Sequence, residues 1–272
     1  MKRRRLVKSV PAIVAATAVM LVGGSAAQAA TPAPGFEQFA GCPSPAENPG
    51  VVSCIRAVIT GGNFKMGSKN VPISKPMVLS GGLGEGSKGF FYNSKGGLTP
   101  VKQLVPGGVI GLTGLDWLVN FLSIEALQLF AVTELAGSPD FSGETLPLPI
   151  KVHLVNPALG SNCYVGSSSN PIKLNLTMGT TSPPPPAKPI SGNEPTKVFL
   201  ENNIFHAEGV KMVDNAFSAP GASGCVLTLF GFIPISINGL VNSQSGLPSP
   251  AGYNETVQNV NQELTSPEFV YP

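Results

Sequence analysis

Two short stretches of strict alternation constrain the fold more than anything else in this chain. Between Leu146 and Leu154 the apolar residues Leu146, Leu148, Ile150, Val152 and Leu154 alternate with Pro147, Pro149, Lys151 and His153. Between Ile172 and Met178, Ile172, Leu174, Leu176 and Met178 alternate with Lys173, Asn175 and Thr177. A period of two places each apolar set on one face of a strand, whereas a helix would scatter it. After Val155, the sixteen residues NPALGSNCYVGSSSNP that lead to the second stretch are turn-like. The two strands therefore read as arms of one antiparallel pair. Pro147 and Pro149 cannot donate to a ladder, which puts the start of the first arm at a sheet edge. Burying the nine apolar side chains stabilises by roughly 1.5–3 kcal/mol each, before chain entropy is counted.

Other β signals lie on both sides. Val51 to Thr60 is rich in β-branched residues and is stopped by Gly61-Gly62. Phe64 to Met66 and Val71 to Ile73 flank a turn at Gly67 to Asn70, and Met77 to Leu79 runs into Gly81-Gly82. Strands are expected again at Lys197 to Leu200, at Ile204 to Val213 and in the apolar run VLTLFGFIPISI after Cys225, which the turn dipeptide Asn238-Gly239 follows. Glycine and proline account for 59 of the 272 residues, as a turn-rich all-β protein requires.

One stretch departs from this pattern. Residues 112–135, LTGLDWLVNFLSIEALQLFAVTEL, hold no proline and no glycine after Gly114. Polar positions at Thr113, Asp116, Asn120 and Ser123 recur every three or four residues, the spacing of one helix face. The stretch reads as a long helix packed on the sheet, stopped by Gly137-Ser138-Pro139. Its remaining face, with Leu115, Leu118, Phe121, Leu122 and Phe130, is the candidate contact for an apolar ligand. Asp116 and Glu125 make it a poor bilayer span, since a charge there costs several kcal/mol.

The first 29 residues have the form of a secretory signal: a basic start (Lys2, Arg3, Arg4, Arg5, Lys8), an apolar core from Val10 to Val22, and Ala27-Gln28-Ala29 at the cleavage position. Removing them leaves twelve basic and fifteen acidic residues, a net charge of −3. Arg56 is then the one remaining arginine. Nucleic-acid binding needs clustered cations to neutralise phosphates and is excluded. No stable membrane anchor is expected in the mature chain. Residues 30–49 read as an extended Pro-rich leader and 50–244 as a single β-rich domain. Within that domain 180–195, with prolines 183–186, is a polyproline-like surface loop. Residues 245–272 read as a polar C-terminal tail.

Four cysteines, Cys42, Cys54, Cys163 and Cys225, fit two disulfides in an oxidising compartment. Of three pairings, Cys42–Cys54 with Cys163–Cys225 keeps each bridge on its own side of the central stretch. By chain entropy the bridges contribute about 3 and about 4 kcal/mol. No Cys-x-x-Cys pair exists and the two histidines lie 53 residues apart, so a metal site is not expected. Nor is a cofactor: the loop GGLGEGSKG at 81–89 lacks the Gly-Lys-Ser/Thr order of a phosphate loop.

Catalytic residues are hard to nominate. His153 and His206 are the available imidazoles, and no Gly-x-Ser-x-Gly nucleophile turn is present; Gly221-Ala222-Ser223-Gly224 is one residue short. Glu201, Glu208 and Asp214 are the carboxylates that a glycosidase would have to bring together. Low charge and few titratable groups point instead to a binding or structural protein.

The stretches CPSPAENPGVVSCIRAVITGGNFKMG (42–67) and IKVHLVNPALGSNCYVGSSSNPIKLNLTMGTTSPPPP (150–186), together with the Arg-rich start, resemble uncharacterised secreted proteins of actinobacteria. The resemblance implies export and assigns no catalytic residue. The expectation is thus a mainly β, antiparallel sandwich or barrel-like domain with one long apolar helix and two disulfides. Its expected role is non-enzymatic, extracellular or envelope-associated binding, with an envelope component as the kind of partner. An apolar-ligand or lipid carrier is the second expectation and a secreted hydrolase the third.

Overall fold

A computed structural model of the chain describes residues 30–108 and 128–272. The Leu146–Leu154 alternation lies in β8 (Thr145–Val155) and the Ile172–Met178 alternation begins in β10 (Ile172–Thr177). They pair antiparallel with Ile150 opposite Ile172, Leu148 opposite Leu174 and Leu146 opposite Leu176. Eight of the nine alternating apolar residues are buried, and Met178 packs half-buried against the same core. The prolines sit where their missing N–H groups cost least. β7 (Phe130–Leu135) pairs with β8 only as far as Leu135 opposite Ile150. Beyond that point the carbonyls of Pro149 and Pro147 accept from the amides of Ala136 and Asp140. The side of β8 on which the prolines cannot donate is therefore the side where the ladder has ended.

Around this pair an antiparallel sheet curls into a half-barrel. Its backbone of order includes β1 (Ser53–Met66), β3 (Met77–Leu83), β12 (Ile204–Asp214) and β16 (Glu255–Thr265), arranged β8-β10-β12-β16-β1-β3. Shorter strands extend it: β2 (Lys69–Pro72) on β1, β4 (Phe90–Phe91) and β5 (Gly97–Leu98) on β3, and β6 (Lys102–Leu104) on β7. β9 (Tyr164–Val165) joins β8 to β13 (Ala222–Ser223), and β11 (Lys197–Glu201) lies on β12. Ile55, Ala57 and Ile59 from β1, Met77, Leu79 and Leu83 from β3, and Val210 and Met212 from β12 join the β8–β10 side chains in the concave core.

Several expectations need correction. Gly61-Gly62 does not end the first strand: β1 continues to Met66 through a bulge between Ile59 and Gly61. Gly81 and Gly82 likewise lie inside β3, where the aromatic rings of Phe90 and the side chain of Val51 occupy the space a Cβ would need. The long helix over 112–135 is not found in its last part, because Phe130–Leu135 is strand β7; residues 112–127 lie outside the described residues. Leu129 is buried and the Phe130 ring lies 5.9 Å below the Lys102 ammonium, so both serve the sheet. Short apolar runs do not distinguish strand from helix by periodicity. Here the free edge of β8 at Ile150–Val155 decides the matter.

Residues 245–272 are not a tail outside the domain. β16 is paired on both edges, with β1 on one side and β12 on the other. Its inward face is largely polar, carrying Thr256 and Gln258 beside Val260, which is why hydropathy does not reveal it. The Thr256 hydroxyl donates to the Asn63 carbonyl at 3.1 Å, and the Asn254 amide donates to the Phe217 and Pro250 carbonyls, both at 2.9 Å. The leader is docked as well. Phe39, Cys42 and Val51 form a second, smaller core with Cys54, Ile204 and Val270. The Ala33 amide donates to the Val270 carbonyl, and the Tyr271 hydroxyl donates to the Cys42 carbonyl at 2.8 Å.

Both disulfides have the expected partners, Cys42–Cys54 and Cys163–Cys225. The reason lies in strand pairing: β9 and β13 run together, with Tyr164 opposite Ser223, which brings the flanking Cys163 and Cys225 side by side. Asn238-Gly239 does not make a turn but opens the helix α1 (Asn238–Ser245), and Pro267–Val270 forms the short α2. None of the described helices is long and apolar enough to cross a membrane.

Candidate functional site

Each histidine stands on the sheet in a cross-strand cluster. On β8, His153 stacks on the Tyr164 ring of β9 at 4.4 Å, and Lys151 lies 4.8 Å above that same ring. Glu134 of β7 meets Lys151 at 3.2 Å and accepts from the Tyr164 hydroxyl at 3.4 Å. Burial first, and the Glu134 carboxylate second, push the Tyr164 phenol above its ordinary range, so it stays protonated at neutral pH. His153 Nδ1 lies 3.9 Å from Glu134, beyond the reach expected of an acid–base pair.

The second cluster runs across four strands. Phe199 of β11 stands opposite His206 of β12, His206 opposite Glu263 of β16, and Glu263 opposite Arg56 of β1. Arg56 donates to Glu263 at 2.9 Å, His206 Nδ1 lies 3.8 Å from the same carboxylate, and the His206 and Phe199 rings stack at 4.5 Å. The Lys197 ammonium lies 4.2 Å from the centroid of the Phe199 ring. Both clusters repeat one arrangement, imidazole on aromatic with a carboxylate alongside. Such cross-strand pairs stabilise a sheet surface by roughly 0.2–1 kcal/mol each.

The carboxylates nominated for glycosidase chemistry do not converge. Glu208 is partnered by Lys197 at 3.7 Å, and Glu201 ends the neighbouring strand. Asp214 lies six residues along β12 from Glu208, roughly 20 Å at strand rise. There it is buried, accepting from the amides of Asn175 at 2.7 Å and Ala216 at 2.8 Å. Burial holds its carboxyl above the ordinary aspartate range against those two hydrogen bonds. It shapes the end of β12. Among the described residues no three His, Cys, Asp or Glu side chains are grouped so as to hold a metal ion.

Of the candidate apolar-ligand face, Leu115, Leu118, Phe121 and Leu122 lie outside the described residues. Inside the half-barrel two small hollows adjoin each other. One, of about 50 Å³, lies among Phe64, Met77, Leu148 and Gln258, and the other, of about 30 Å³, among Met66, Val105, Leu129 and Leu247. Neither reaches the roughly 300 Å³ of an ordinary small-molecule site.

The most exposed apolar group is elsewhere, on a hairpin that sequence reading treats only as an apolar run. β14 (Val226–Leu229) and β15 (Ile233–Ser236) form a separate two-stranded sheet, with Leu229 opposite Ile233 and Val226 opposite Ser236. Phe230 and Phe232 at its tip are 85% and 74% exposed. Ile233 and Ile235 are exposed as well, as is Leu240 on α1. Phe230 holds a positive φ of 52° and Gly231 one of 80°. Backbone of this kind is rare for a bulky residue and costs on the order of 1–2 kcal/mol.

The base of the hairpin is fixed. Cys225 is bridged to Cys163, its amide donates to Asn238 Oδ1 at 2.8 Å, and its carbonyl accepts from the Ile237 amide at 2.9 Å. The Asn242 side chain of α1 clasps Ala222, its Oδ1 accepting from the Ala222 amide at 2.6 Å and its Nδ2 donating to the Ala222 carbonyl at 3.3 Å. Surrounding charge is absent in sequence: no Asp, Glu, Lys, Arg or His occurs between Asp214 and Glu255. That uncharged run, with Phe-Gly-Phe in its middle, is the signal by which sequence reading could have found the element.

No protein-family model, curated protein or solved structure matches this chain.

Proposed function

We propose that this chain is an exported, non-enzymatic binding protein of the extracellular space or cell envelope, and that the β14–β15 hairpin is its docking element. The observation that carries the reading is the Phe230–Phe232 tip, exposed to water on a base held by a disulfide and side-chain amides. Exposed aromatic side chains are what an interface buries: in protein complexes Trp, Tyr and other large anchors carry most of the binding energy. Two disulfides are consistent with an oxidising compartment. The histidines support a surface role, each stacked on an aromatic ring with its nearest carboxylate beyond proton-transfer distance.

The test is fractionation of producing cells that carry either the full chain or its F230S/F232S variant. The expected result is that wild-type protein stays with the envelope while the variant appears in the medium. Equal partition of the two proteins would refute the docking role.

A further inference from the structure

The geometry of the docking hairpin points to one kind of partner: we infer that β14–β15 inserts its tip into the interface of a lipid layer. This inference rests on the docking role proposed above.

Three observations point to lipid. The first is the apolar tip itself. Taking about 200 Å² for each fully exposed aromatic or isoleucine side chain, the exposures of Phe230, Phe232, Ile233 and Ile235 amount to roughly 450 Å², gathered on a two-stranded hairpin outside the main sheet.

The second is shape and depth. Strand rise of about 3.3 Å per residue puts the Phe230–Phe232 tip roughly 7–10 Å beyond Thr228 and Pro234, comparable to the 5–10 Å that interfacial elements bury. Leu229 pairs with Ile233 and Thr228 with Pro234, which itself carries no N–H, and insertion only to interfacial depth leaves the free edges of this two-stranded sheet within reach of headgroups and water.

The third is charge. The forty residues from Asn215 to Asn254 contain no ionisable Asp, Glu, Lys, Arg or His, so entry desolvates no charged group. For the same reason there is no cation on this run to attract anionic headgroups. Insertion is therefore driven by apolar burial alone and is indifferent to lipid charge and to salt, unlike binding through basic patches.

The test uses purified full-length mature protein and flotation with vesicles of phosphatidylcholine alone, or of phosphatidylcholine with one third phosphatidylglycerol. Wild-type protein is expected to float with both, to a similar extent, and to remain bound in 1 M NaCl. The F230S/F232S variant is expected to lose on the order of 100-fold in partitioning, since each buried phenylalanine is worth about tenfold or more. Both side chains are exposed, so the variant should keep the wild-type circular dichroism spectrum. A second variant, F230W, should show increased and blue-shifted emission over the parent when vesicles are added.

Failure to float on phosphatidylcholine, flotation only with phosphatidylglycerol, or equal flotation of the F230S/F232S variant would each overturn the inference. The two proposals separate cleanly. Release of that variant from the cell envelope, with no vesicle binding by wild type, keeps the docking role and discards lipid. No release and no vesicle binding discards both.

Discussion

Replacing Gly62 with alanine should be far more damaging than making the same change at its neighbour Gly61, and the contrast tests the account of β1 as one strand running through a bulge. Gly62 has φ = 118°, and a Cβ built there would overlap the Val257 carbonyl oxygen and lie 2.8 Å from its carbonyl carbon. Gly61 adopts ordinary backbone, and a Cβ there would meet nothing nearer than Asn259 Nδ2 at 3.7 Å. At Gly62 the conformational strain alone is about 1–3 kcal/mol. The obstructing atoms are backbone of β16 and cannot rotate away, so relief requires shifting Val257 out of its pairing with Asn63. Losing one or two ladder hydrogen bonds adds about 1 kcal/mol each. The expected loss for Gly62→Ala is therefore about 2–5 kcal/mol, against less than about 1 kcal/mol in either direction for Gly61→Ala. Urea unfolding followed by far-ultraviolet circular dichroism reads this directly. At a slope of about 1–3 kcal/mol/M the Gly62→Ala midpoint should fall by on the order of 1–5 M. Equal midpoints for the two variants would refute the close approach of β1 and β16 at the bulge.

Asp214 and the disulfides supply two further tests. Because burial raises the folded-state pKa of Asp214, its contribution to stability is full below the unfolded aspartate pKa and is lost as pH rises through the folded value. Asp214→Asn should therefore flatten the pH dependence of stability over that acidic window. Asp214→Ala, by leaving the Asn175 and Ala216 amides without their acceptor, should cost about 2–4 kcal/mol at neutral pH. An unchanged pH profile for Asp214→Asn, measured by thermal melts from pH 3 to 7, would count against the desolvation argument. Opening Cys163–Cys225, whose ends are 62 residues apart, should cost about 4 kcal/mol, and opening Cys42–Cys54, 12 apart, about 3 kcal/mol. Serine pairs compared by urea unfolding should keep that order; the reverse order would refute the chain-entropy account.

Local alternation made the β8–β10 pair legible because a period of two survives in one dimension, and strand pairing then did what the pattern implied. The disulfide partners were legible for a less direct reason. In sequence the bridges fall on either side of 112–135, whereas in the fold Cys163 and Cys225 are united by the β9–β13 pairing. β16 was hidden because its inward positions are Thr256, Gln258 and Val260, which alternate in burial but not in hydropathy. The candidate hairpin stands out in sequence only as an apolar run, and hydropathy does not show that β15 is exposed along its whole length.

What the amino-acid sequence determined by itself was local: an antiparallel β protein, the faces of its best strands, two disulfides and an uncharged run of forty residues. These depend on neighbours along the chain. Tertiary structure alone decided that Phe130–Leu135 is a strand, that the C-terminal residues form the centre of the sheet, and that Phe230 and Phe232 face water. Each of those outcomes depends on which edge or surface was left over after other strands had paired. Backbone hydrogen-bonding demand, common to every residue, made those choices, and side-chain hydropathy did not.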